Sequence, residues 1–168
     1  NPLYTSNEMR HQFMDSGVKG IVILDAFCDK LEEILPHTEI STIIVASLGD
    51  MQSPLRSRIL NFGAKYLKRI VPTYKLPNSV SFEATISCQE IFINPKDAGC
   101  GNDVALILYT GGTTGVSKGA MLSHSNLIAN MMQLRSRCLL LIRDKLENIV
   151  AQLPLYHSYA FLLHCLTM

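Results

Sequence analysis

One stretch of this sequence concentrates groups suited to phosphate chemistry: Tyr109-Thr110-Gly111-Gly112-Thr113-Thr114-Gly115-Val116-Ser117-Lys118-Gly119. Glycines at 111, 112, 115 and 119 permit positive φ and place no side chain in the way of an approaching ligand. Successive backbone N–H groups in such a loop form a concavity that holds anions. Thr110, Thr113, Thr114 and Ser117 add hydroxyl donors, and Lys118 adds a mobile positive charge. Glycine and threonine are also common in ordinary turns, so the alternative is a solvent loop that only joins two strands. Four glycines, four aliphatic hydroxyls and a lysine within eleven residues favour a polyphosphate site.

Two familiar phosphate loops are excluded by spacing. The nucleoside-triphosphatase loop needs lysine followed by serine or threonine, whereas Lys118 follows Ser117 and precedes Gly119. The dinucleotide fingerprint fails because the glycines stand at the wrong intervals. Gly115-Val116-Ser117-Lys118-Gly119 does fit the Gly-x-Ser-x-Gly form of hydrolases, and Asp144 and His157 follow in triad order. A nucleophile elbow turns sharply out of a strand, whereas Ser117 comes eight residues after Tyr109, so the match reads as coincidence.

The elements that must position this loop are legible in outline. Thr5 with Glu8 forms a capping box opening a helix that Gly17 stops. Gly20 to Leu24 and Ser41 to Ser47 are apolar runs expected as buried strands. Between them Asp25 caps a helix to Leu35, which Pro36 ends. Ser53-Pro54 opens another helix, in which Leu55, Ile59, Phe62, Tyr66 and Ile70 recur at helical spacing. Residues 81–89 suit a short helix, and Val104 to Tyr109 a third apolar strand. After the loop come a short strand at 120–122 and a helix to about Arg137, capped by Ser123 or Ser125 and lined by Met131, Met132 and Leu134. A strand at 148–153 and a helix from Tyr156 follow. Alternating strands and helices predict an α/β fold, a mostly parallel sheet layered with helices, with the loop beyond a strand end where open parallel sheets place ligands.

Composition narrows the classes. The chain has 168 residues, 48% hydrophobic and 17% charged, against about 25% charged in an average domain. That excludes a disordered chain. A net charge of +1 with no basic stripe excludes nucleic acid as a first partner. The charge-rich segment from Arg56 to Arg69 is expected to be a solvated helix face, and no basic amphipathic helix of the membrane-binding kind is expected. Five cysteines without a Cys-x-x-Cys pair read as reduced thiols in a cytoplasmic protein. No spanning segment or signal peptide is evident. The sequence opens on Asn1 and stops within an apolar run, so both ends are expected to be cut from a longer chain.

Residues 109–119, continued by Ala120-Met121-Leu122-Ser123-His124, resemble the adenylate-forming signature of acyl-CoA synthetases. Gly111 stands where the commoner form has serine, and Ser117 where it has proline; the Gly-Gly version resembles bacterial long-chain fatty acid–CoA ligases. Leu153-Pro154-Leu155-Tyr156-His157 is similar to a second block of that family, and Asn1-Pro2-Leu3-Tyr4-Thr5 with Asp15-Ser16-Gly17 to a third. The resemblance implies part of an N-terminal AMP-binding domain over 1–168, with strand–helix repeats at 1–102 and the phosphate loop and acyl-gate segment at 103–168.

The implied chemistry is attack of a fatty carboxylate on the α-phosphate of Mg-ATP, then displacement of AMP by coenzyme A. Tyr109 to Gly115, Ser117, Lys118 and Gly119 would bind the ATP phosphates, with Thr113 and Thr114 in direct contact. His157 would orient or gate the acyl carboxylate beside Tyr156, although a lone histidine in an apolar segment is commonly a core residue. His124, His164 and Cys165 read as structural. The Mg2+ ligand, ribose-binding aspartate, hinge and C-terminal lysine of the family would lie outside this chain, so the piece alone is expected to be inactive. The implied partners are fatty acid, ATP and coenzyme A. Peripheral contact with the inner face of the membrane and self-association through exposed apolar faces are further expectations. The alternatives are a ligase for another carboxylate and a non-catalytic nucleotide-binding module.

Overall fold

The computed structural model describes residues 4–88, 100–111, 116–138, 154 and 157–162. The chain forms two compact units, Asn1–Ile93 and Asn94–Met168. The expected strand at 148–153, together with Tyr156, His164 and Cys165, lies outside the described residues.

The first unit opens with α1 (Ser6–Ser16), and its expected ends are both present. The Thr5 hydroxyl accepts from the Glu8 N–H while the Glu8 carboxylate accepts from Thr5 N–H at 2.8 Å. That reciprocal bonding holds the Glu8 carboxyl below its ordinary range. Gly17 closes the helix in the left-handed region at φ 61°. β1 (Gly20–Leu24) and β2 (Thr42–Ala46) pair in parallel, and β3 (Ser79–Ser81) adds a third parallel strand in the order β1-β2-β3. Between β1 and β2 the chain makes a 3-10 turn (Asp25–Phe27), α2 (Cys28–Ile34) and a second 3-10 turn at Leu35–His37.

Asp25 does not cap this helix. It is buried, and its Oδ2 accepts from the Ser47 hydroxyl at 2.8 Å, so the carboxylate ties the ends of β1 and β2 together. The core of the unit is Met9, Ile23, Cys28, Leu31, Ile34, Ile43 and Leu76. β1 is less covered than expected: only Ile23 is buried, because β1 lies at the edge of a three-stranded sheet.

α3 (Pro54–Phe62) starts where expected, with proline in its first turn, and runs on as a π-helical turn over Gly63–Leu67. Its charged side chains from Arg56 to Arg69 are solvated as expected, and its apolar stripe is exposed as well. Ser57 and Ala64 are the buried positions, and Asn61 Oδ1 accepts from Gly49 N–H at 2.8 Å. A Cβ on Gly49 would lie 2.6 Å from the Ser57 carbonyl oxygen, so backbone meets backbone here. The helix therefore docks by a small, polar face and turns Leu55, Ile59, Phe62, Tyr66 and Ile70 to solvent. α4 (Phe82–Ser87) follows β3, and the Ser81 hydroxyl caps it by accepting from Ala84 N–H at 3.2 Å.

The second unit contains β4 (Val104–Thr110), β5 (Lys118–Ser123), α5 (His124–Cys138) and α6 (Ser158–Phe161). β4 and β5 are antiparallel. The seven-residue connection 111–117 suffices for a hairpin, whereas a parallel return needs a crossover of a dozen or more residues. Ser123 caps α5: its hydroxyl accepts from Asn126 N–H at 3.2 Å, while Asn126 Oδ1 accepts from Ser123 N–H at 3.0 Å. His124 is the first residue of that helix, and its N–H donates to the Asp103 carbonyl. Met132 is exposed, so the expected core stripe on α5 is only partly covered.

Candidate phosphate-binding hairpin

The antiparallel ladder fixes both ends of the glycine-rich loop. Tyr109 pairs with Gly119 and Thr110 with Lys118, the last rungs before the turn. Directly paired residues project to the same face, and the face alternates along each strand. Thr110 and Lys118 thus emerge together on one side, both exposed. Ile107, Tyr109 and Gly119 share the other. A hydroxyl and an ammonium at the loop mouth can jointly bind an anion by charge-assisted hydrogen bonds, about twice as strong as neutral ones.

Gly119 has a packing role that sequence alone does not disclose. A Cβ there would lie 2.8 Å from Ile107 Cγ2 and 3.0 Å from Tyr109 Cζ. The tyrosine ring lies over the glycine. Neither Gly111 nor Gly119 has positive φ; among the described residues Gly17 is the glycine that does. The conformational argument for glycine therefore fails at 111 and 119. At Gly111 a Cβ would meet no atom of the described residues within 4 Å.

One further expectation is corrected and another is met. The loop does not sit at the end of a parallel strand, since it is the turn of a hairpin. Ser117 leads into strand β5 instead of standing on a strand-to-helix turn, so the hydrolase elbow is absent despite its sequence match.

Gly111 and Ser117 flank the turn, and Gly112, Thr113, Thr114 and Gly115 lie outside the described residues. His157 is not part of the hairpin ladder. It precedes α6, its N–H donates to the Pro154 carbonyl at 3.0 Å, and its own carbonyl accepts from Phe161 N–H at 3.0 Å. The residue is exposed in this chain. The turn before β4 braces the next helix: Ser125 N–H donates to the Gly101 carbonyl at 2.8 Å, and Cys100 N–H to Asp103 Oδ2 at 2.7 Å. The sequence reading passed over this brace; the small residues Gly101 and Ser125 were its signal, since a Cβ on Gly101 would stand 2.6 Å from Ser125 Oγ.

The family described as AMP-binding enzyme matches residues 1–168. The chain belongs to this family. A long-chain-fatty-acid–CoA ligase of Salmonella typhimurium is 40% identical over 166 residues, which cover 99% of this chain and 30% of that protein. A ligase of the same name from Haemophilus influenzae is 38% identical over 170 residues, again 99% of this chain and 30% of that protein. A crystallised long-chain-fatty-acid–CoA ligase from Archaeoglobus fulgidus superposes with a TM-score of 0.53 at 27% identity, over 97% of this chain and 26% of that one. The chain thus spans about 30% of the length of the relatives it matches. The α/β class expected from the sequence agrees with this neighbour.

Proposed function

We propose that this chain carries the ATP phosphate-binding segment of a fatty acid–CoA ligase, an enzyme that forms an acyl-adenylate and then acyl-CoA, releasing pyrophosphate and AMP. The observation that carries this reading is the 40% identity to long-chain-fatty-acid–CoA ligases across 99% of the chain. The hairpin supports it. A carboxylate attacking a polyphosphate brings negative charges together, so donors must screen and orient them beforehand.

In this reading Lys118 binds the β- and γ-phosphates and follows the charge onto departing pyrophosphate. Thr110 binds beside it, and the N–H groups and hydroxyls of 111–117 wrap the same oxygens. Tyr109 acts by packing on Gly119. His157 and Tyr156 orient the acyl carboxylate, and coenzyme A supplies the thiol for the second step. Among the described residues no three His, Cys, Asp or Glu side chains gather to hold a metal ion, so no step is assigned to Mg2+ here. The 168 residues alone are proposed to bind without completing the reaction.

The test is calorimetric titration of the 168-residue chain with ATP and with pyrophosphate. Loss of a charge-assisted bond costs about 1.5–3 kcal/mol. Lys118→Ala should therefore weaken binding about ten- to a hundredfold, and Thr114→Ala less. Equal binding by wild type and both variants refutes the loop assignment. Pyrophosphate release from ATP and fatty acid at an enzyme's ordinary rate refutes the inactivity of the piece.

A further inference from the structure

We draw no further inference here: the strongest candidate, the apolar groove that α1 walls beside the open edge of β1, lined by Tyr4, Met9, Phe13, Ile21, Leu24 and Phe27, is an unpartnered face of the first unit, and nothing in the structure shows what covers it.

Discussion

Replacing Gly119 with alanine and, separately, Gly111 with alanine should divide the glycines of the loop into two kinds. At Gly119 the new methyl would stand 2.8 Å from Ile107 Cγ2 and 3.0 Å from Tyr109 Cζ. Non-bonded carbons rest about 3.5–4.0 Å apart, so the isoleucine and the ring must retreat by roughly 0.5–1 Å. Overpacking of this kind costs about 1–3 kcal/mol. Both neighbours are half-buried side chains that can give, which puts the expectation at the lower end, about 1–2 kcal/mol. At Gly111 a methyl meets no atom of the described residues within 4 Å, and φ lies outside the left-handed region. The stiffer unfolded chain should then stabilise Gly111→Ala by up to about 1 kcal/mol. The two variants should thus differ by about 2 kcal/mol, close to thirtyfold in the folding equilibrium. Urea unfolding followed by circular dichroism gives the difference, and amide exchange in β4 and β5 shows whether it arises in the hairpin. Equal stabilities, or greater damage at Gly111, would refute close approach as the reason for Gly119.

Two further outcomes concern the first unit. Burial, followed by the nearby Asp25 carboxylate, pushes the Cys28 thiol up to about 11. Native chain should therefore be alkylated by iodoacetamide at exposed Cys88 and Cys100 and not at Cys28, as peptide mapping will show. The sign for stability follows: the unfolded thiol deprotonates near pH 8.5–9 while the folded one holds its proton, so stability present below about pH 8.5 should decline as pH rises towards 11. Leu31 is fully buried, and Leu31→Ala should cost about 2–5 kcal/mol in urea unfolding, whereas Ile59→Ala on the exposed face of α3 should stay within about 0.5 kcal/mol.

Local chemistry was the most legible part of this sequence. The Thr5–Glu8 box, the Gly17 stop, Pro54 in a first helical turn and the Ser123 cap each depend on residues within a few positions, and each stands where the sequence implies. What the sequence left open depends on neighbours far along the chain. The apolar stripe of α3 gives its period but not what lies opposite, and the bond between Gly49 and Asn61 turned the polar face inward. Val104 to Tyr109 is apolar whichever direction its partner runs, and only the short connection to β5 decides for antiparallel. β3 is three residues long and carries two serines, so it offers no apolar run to recognise. The glycine-rich loop was conspicuous by composition, yet the separate task of Gly119 depends on a ring ten positions earlier in the chain.

The pairing pattern also bears on how the chain acquires its shape during synthesis. Every parallel rung of the first sheet joins residues between Gly20 and Ser81, and every rung of the hairpin joins residues between Val104 and Ser123. Among the described residues neither sheet takes a strand from the other, so the first can assemble on the emerging chain before the second is translated. The hairpin, with its ends only a few residues apart, can then close within about 1–10 μs. A ribosome pause between the two would give the slower parallel sheet time to find its register without competition from the later strands.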